Sequence, residues 1–320
     1  MAAGKILVTG ATGFIGPHLL QLLASEGRAV RVALRPSERA NGETVVVSDL
    51  SASTDWREAL RGIDAVVHLA GYAAPPRVAD PLAELRRVNV DGAAALARAC
   101  AAAGVRRLAL VSSVKVHGEA SDRIYTERDV PAPRDIYAIS KLEAEQAVRQ
   151  VASGSSLEVV VVRPPVVYGA GVKGNIRRLL DVVYHGIPLP LASADNRRSM
   201  VGVRNLSHML ARCVDAPAAA GEAFLVRDGE DLSTPELVRR LAVLMRRPHR
   251  LFPFPVSAVR LLGRVTRRTA TIERLVGSMR VDASKAATVL SWSSPFTLDE
   301  ELGELVAWYL AGRARGATAR

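Results

Sequence analysis

The stretch from Lys5 to Gly16, KILVTGATGFIG, limits what this chain can fold into more than any other. Ile6 to Thr9 form a short apolar, β-favouring run of the kind buried on both faces of a parallel sheet. Glycines follow at 10, 13 and 16, and then Leu19, Leu20, Leu22 and Leu23 recur with helical spacing. A strand that turns through glycines into a helix N-terminus is a pyrophosphate site, because unpaired N–H groups and the helix dipole favour an anion. Gly10 permits the tight turn, Gly13 lets the backbone approach the phosphates, and Gly16 lets the helix pack on the strand. The spacing is GxxGxxG, not the GxGxxG of the general fingerprint, and that narrows the family.

The same alternation continues. Strands are expected at 5–9, 29–34, 44–47, 65–69, 107–112 and 158–163, and helices at 14–25, 55–61, 79–102 and 136–152. This predicts an α/β fold of Rossmann type: a doubly wound parallel sheet in residues 1–165, joined by about 200–228. Residues 200–203 read as a return to the sheet and 222–226 as a further strand. Ser233 and Pro235 mark a helix start. The proline-punctuated segments 166–199 and 229–320 are expected to form a smaller α/β substrate domain, with 313–320 as a frayed basic tail.

Hydrophobic content of 49% in 320 residues is ample for a core, yet no apolar run is long enough to span a membrane. No basic-then-apolar leader precedes the first strand, and Cys100 and Cys213 make no disulfide framework, so the expected compartment is the cytoplasm. The net charge of +11 raises nucleic acid as a partner. The arginines are scattered over helix faces with few aromatics between them, which argues against it and for anionic substrates or at most a peripheral membrane contact. Residues 252–268 read as a packed helix of the second domain, with an amphipathic surface helix as the alternative. No metal site is expected.

Tyr137 and Lys141 stand four apart at the start of a helix that Asp135 can cap, and so share one face. An ammonium near a phenol favours the phenolate, and a lysine can also hydrogen-bond a ribose. Ser113 ends the fifth strand at the carboxyl edge of the sheet, where ligands of such folds bind. With the glycine turn, Ser113, Tyr137 and Lys141 in this order, the chain resembles the extended short-chain dehydrogenases/reductases. More narrowly it resembles the NAD-dependent epimerase/dehydratase branch that acts on nucleotide sugars. His68-Leu-Ala-Gly71, Val88-Asn-Val-Asp-Gly92, Arg163-Pro164 and Tyr168-Gly169 extend the resemblance through most of the chain.

The resemblance implies hydride transfer at a sugar carbon, with Tyr137 as proton donor or acceptor, Lys141 lowering its pKa and holding the ribose, and Ser113 orienting the reacting oxygen. It places the cofactor against Gly10, Gly13, Phe14, Ile15, Gly16, Tyr137 and Lys141. Asp49 and Leu50 would border the adenine, Leu69 and Ala70 line the cleft, Asn89 support it, and Pro164 lie near the nicotinamide. It carries the nucleoside diphosphate to Asn175 and Arg198, with Arg274 as a weaker candidate, and brings Lys115 toward the sugar. Dimers built on the Tyr137 helix are common in the family. The second strand ends without the acidic residue that reads ribose hydroxyls, and Arg35 follows. An arginine there can grip a 2′-phosphate, so NADP is expected, with NAD as the alternative. Tyrosine is commoner where His117 stands, and His117 reads as a packed residue. The pattern is closer to reductases of 4-keto-6-deoxy sugars for surface polysaccharides. The leading expectation is therefore reduction of a UDP-4-keto sugar. The alternatives are a UDP-sugar 4-epimerase with retained NAD and a catalytically silent NADP-binding regulator.

Overall fold

The computed structural model describes residues 4–74, 76–267 and 269–318. The first half runs β1 (Ile6–Thr9), α1 (Gly16–Ser25), β2 (Val30–Leu34), β3 (Glu43–Val46), β4 (Ala65–His68), α2 (Pro81–Leu85), α3 (Gly92–Ala102), β5 (Arg107–Val111), β6 (Ile124–Tyr125), α4 (Ile136–Ser153) and β7 (Glu158–Arg163). The second half runs β8 (Val166–Tyr168), α5 (Gly174–Tyr184), β9 (Met200–Gly202), α6 (Val203–Asp215), β10 (Ala223–Leu225), α7 (Thr234–Leu244), α8 (Val256–Val265), α9 (Thr269–Val276), β11 (Arg280–Val281), α10 (Ser284–Leu290) and α11 (Leu298–Thr318).

Seven strands form one parallel sheet in the order β10-β7-β5-β4-β1-β2-β3. Their apolar runs are explained by burial on both faces. Ile6, Val8, Val32, Val67 and Val162 point into a core shared with α1 and α6, while Leu7, Ala33, Val66, Leu108 and Val161 point into one shared with α3 and α4. The strand order reverses between β1 and β4, and their register sets Thr9 opposite His68 at the carboxyl edge. Such a reversal opens the ligand crevice of a doubly wound sheet. A third core lies beyond that edge, where Leu180 of α5, Leu241 of α7, Met200 of β9, and Leu302 and Tyr309 of α11 pack together. This is the smaller α/β layer. Helix α7 opens with the expected cap, the Ser233 hydroxyl accepting from Glu236 N and Glu236 reaching back, although Pro235 occupies the second helical position rather than the first.

Four expectations need correction. No helix forms at 55–61. The Leu60 N–Trp56 O and Arg61 N–Glu58 O bonds close one turn, which buries Trp56 and Leu60 before Gly62 at positive φ diverts the chain. The helix expected at 79–102 is α2 and α3 joined by a π-helical turn, Arg86–Asp91. Residues 200–203 do not return to the main sheet: β9 pairs with β8 as a separate two-stranded sheet, and it is α6 and β10 that rejoin the main layer. Residues 313–318 are no frayed tail but the last turns of α11, while 319–320 lie outside the described residues. Among the described residues no helix is long and apolar enough to cross a membrane, and no group of three or more His, Cys, Asp or Glu could hold a metal ion.

Candidate functional site

The glycine turn sits at the sheet's reversal. Gly13 N donates to Gly10 O at 3.0 Å. Gly10 has φ +70, and a Cβ there would lie 2.6 Å from Ala70 N, so both conformation and space demand glycine. At Gly16 a Cβ would press to 2.2 Å from Ala11 O, which is why α1 can start so close to the turn. A cleft of about 360 Å3 opens over this turn, walled by Gly10, Gly13, Arg35, Asp49, Leu50, Leu69 and Ala70. Phe14 and Ile15 do not wall it. Phe14 packs edge-on against His18 and Ile15 against the core, so they offer main chain at the mouth of α1. The glycine cradle suits the pyrophosphate of a dinucleotide.

Asn89 stands in the π-helical turn and is buried. Its Oδ1 accepts from Tyr72 N at 2.8 Å, and its Nδ2 donates to Tyr72 O and to Ser140 Oγ, tying the cleft wall to α4. Pro164 is buried behind the site, where its carbonyl accepts from Val114 N, while Pro165 next to it faces the second cavity.

Glu38, in the loop after β2, is a cleft residue that spacing alone does not reveal. Its Oε1 accepts from Arg35 Nη2 at 2.8 Å and from Thr12 Oγ1 at 2.7 Å, and its Oε2 accepts from Arg35 N. Burial works against its ionisation, yet the Arg35 and Thr12 bonds hold the carboxyl below the usual range. Arg35 therefore comes to the cleft already paired.

Asp135 caps α4 by accepting from Ala138 N at 2.7 Å, which fixes the first turn and with it Tyr137. Ser113 ends the loop after β5 and lines, with Tyr137, a second cavity of about 490 Å3. Burial pushes the Tyr137 phenol up to about 12, the neighbouring Ser113 hydroxyl partly offsetting it and the Asp135 carboxylate adding to it. Lys141 Nζ donates to Val111 O at 2.9 Å, and burial brings its ammonium down to about 8. The lysine is thus directed at the end of β5 rather than at the phenol, and the phenol holds its proton. His68 bonds Thr9 Oγ1 at 2.7 Å, and burial with nearby Lys141 pushes it down to about 3, a neutral prop beneath the site.

The second cavity is largely apolar, walled by residues such as Val167, Ile176, Leu179, Leu191 and Met279, with a few polar groups among them. Asn175, Arg198 and Arg274 all reach it, as does Lys115. Arg198 is positioned by Nη1 donating to Gly277 O at 2.9 Å, and burial beside Arg274 lowers its pKa. Two further participants escape a reading by spacing. Arg178 follows Asn175 by three on α5, and Glu119 follows Lys115 by four. Glu119 accepts from Lys115 at 2.7 Å and lies 3.5 Å from Arg274, bridging two of the expected cations, while Lys115 also reaches Asp135. His117 is packed as expected: it is buried, stacked on Tyr125, bonded to Arg163 Nη1 at 3.0 Å and pushed down to about 4 by burial and that arginine.

A doubly wound sheet with a glycine turn at its reversal, and a serine, tyrosine and lysine at the adjoining edge, defines an NAD(P)-dependent enzyme of the short-chain dehydrogenase/reductase kind. Residues 6–226 match the NAD dependent epimerase/dehydratase family, and the chain belongs to that family. It is 38% identical to the UDP-glucose 4-epimerase of Vibrio cholerae over 318 residues, covering 97% of each chain. Among solved structures it resembles MoeE5 in complex with UDP-glucuronic acid and NAD (TM-score 0.79, 26% identity, 97% of this chain and 100% of that one). The same enzyme with UDP-glucose and NAD gives a TM-score of 0.77 at 27% identity, with the same coverage.

Proposed function

We propose that this chain is an NAD-dependent 4-epimerase of nucleotide-diphosphate hexoses. The observation that carries the reading is the cavity beside the dinucleotide cleft. Ser113 and Tyr137 stand at its catalytic end, while Arg198, Arg274, Arg178 and Asn175 can hold a diphosphate. Such an anionic leash supplies binding energy remote from the reacting carbon, which leaves the sugar free to turn over. The Vibrio cholerae relative, alike over 97% of both chains, supports the choice of a UDP-sugar.

The cofactor would lie on the Gly10–Gly16 turn, with its adenosine toward Glu38 and Asp49. Glu38 can accept from ribose hydroxyls, and a 2′-phosphate would have to displace it from Arg35. This favours NAD over the NADP that Arg35 alone implies. When bound, NAD supplies the redox couple for oxidation and re-reduction at carbon 4. Ser113 orients the sugar oxygen, and Tyr137 takes its proton and later returns it. Burial keeps the Tyr137 phenol protonated, so proton acceptance needs a positive charge near it. Lys141, one helical turn on, carries that charge below about pH 8. Reduction of a 4-keto sugar would use the same residues but requires the cofactor to exchange each turnover. The pairing of Arg35 with Glu38 favours NAD, the cofactor an epimerase reduces and re-oxidises in place.

The test is to incubate the purified protein with UDP-glucose or UDP-N-acetylglucosamine, with no cofactor added, and separate the products. The 4-epimers should accumulate, and Tyr137→Phe should lower the rate by about 10²–10⁴-fold. No interconversion, together with stoichiometric NADPH loss on a UDP-4-keto-6-deoxy sugar, would replace this reading with the reductase.

A further inference from the structure

Helix α8 is apolar on two sides, and only one of them is used. Val259 and Gly263 turn inward against Ile272 of α9, where Val259, Val276, Leu191 and Ala194 form a small core beside the substrate cavity. On the opposite side Leu261 is 60% exposed, Leu262 58% and Val265 74%. At 100° per residue these three side chains span about a quarter of the helix circumference, a compact stripe rather than scattered exposure. Phe252 and Phe254, packed edge-to-face at 6.5 Å and both exposed, stand just before the Pro255 that opens the helix. Five large apolar side chains facing solvent within fourteen residues call for a partner.

The charge of the surrounding chain selects that partner. Between Glu236 and Glu273 there is no Asp or Glu, and there are nine arginines. Arg264 and Arg267 flank the stripe and are exposed, and among the described residues neither side chain forms an ion pair or hydrogen bond. A second copy of the chain on this face would set arginine against arginine, and the apolar stripe offers nothing to a phosphate backbone. An anionic bilayer surface answers both features, taking the leucines and phenylalanines at the acyl boundary and the guanidinium groups among the headgroups.

We infer that the bare side of α8, with Phe252 and Phe254, docks this enzyme peripherally on anionic membrane surfaces. The docked face is the outer side of the helix pair whose inner side encloses the substrate cavity, since Thr271, Arg274 and Leu275 of α9 line that cavity. The sugar-binding end is thereby held against the membrane plane. The inference is independent of which sugar the site accepts.

Sedimentation with lipid vesicles tests it. The full chain should pellet with vesicles of phosphatidylcholine containing about a third phosphatidylglycerol and stay in solution with phosphatidylcholine alone, and added salt should weaken the binding. Leu261→Asn/Val265→Asn and, separately, Arg264→Glu/Arg267→Glu should each lower the bound fraction constant by about tenfold or more. Turnover in solution should be unchanged in both, because none of these side chains reaches either cavity. Failure to pellet with anionic vesicles would overturn the inference, as would equal binding by the wild type and both variants. A dimer in solution that Leu261→Asn/Val265→Asn dissolves would also overturn it, by assigning the stripe to a second copy.

Discussion

Glu38 and Arg35 divide between them the question of which nucleotide the cleft prefers. Each alone points a different way, the carboxylate toward ribose hydroxyls and the guanidinium toward a 2′-phosphate. Their mutual bonds, with Thr12 as a third member, leave both groups in the cleft wall with each charge already answered by the other. Glu38→Gln keeps the shape, removes the charge and frees Arg35. Hydrogen bonds to a charged acceptor contribute about 1.5–3 kcal/mol, so NADH affinity should fall about tenfold or more while NADPH affinity rises. Fluorescence titration of both nucleotides reads this directly; an unchanged ratio would remove Glu38 from cofactor choice. At this scale the sequence put Ser113 at a strand end and Tyr137 and Lys141 on one helix face, and the fold brings Ser113 and Tyr137 to one cavity and Lys141 to the end of β5. Glu38 stayed hidden because its position depends on how an irregular loop folds back over the glycine turn, which no periodicity records.

Among the elements, the regular ones were legible and the interruptions were not. Continuous apolar runs and the 3.6-residue period disclosed β1, α1, β5, α4 and β7 to within about two residues, because both faces of the sheet bury apolar side chains. The π-helical turn at Arg86–Asp91 has no such signature. Its inserted residue rotates Asn89 inward to bond Tyr72 and Ser140, a local cost of the kind often met at functional sites. The junction of α4 with β7 is equally silent in the pattern. Glu145 of α4 and Arg163 of β7 are both buried, joined through Nη2–Oε2 at 2.6 Å and Nε–Oε1 at 3.0 Å, with His117 on the remaining guanidinium nitrogen. Removing one partner strands the other charge, so Glu145→Ala should cost about 3–5 kcal/mol in denaturant unfolding. Glu145→Met/Arg163→Met should recover much of that, since a paired apolar replacement leaves no orphan. A loss below about 1 kcal/mol for Glu145→Ala would show that the junction rests on packing alone.

Across the whole molecule, buried titratable groups set the acid limit of stability. His68 and His117 are neutral in the fold, pushed down to about 3 and about 4, whereas in the unfolded chain each binds a proton near pH 6.5. Below that value the unfolded state holds more protons at both sites, so both contributions to stability fall as pH falls. Glu301, buried against Arg204, runs the other way. Burial outweighs the arginine and lifts its carboxyl to about 7, so the fold takes up a proton there that the unfolded chain accepts only near 4.5. Between about pH 6 and 5 the two histidines outweigh the one glutamate by close to one proton, a net loss of roughly 1 kcal/mol per pH unit. Stability should therefore be greatest near neutrality and decline on acidification, read from unfolding midpoints in buffers across this range. His117→Gln removes one of these sites, so its profile over the same interval should be shallower by close to one proton, whatever the substitution costs at pH 7. An unaltered slope in His117→Gln would mean that His117 already carries its proton in the fold. In that case its contact with Arg163 would be a repulsion, not the hydrogen bond that now closes the α4–β7 junction.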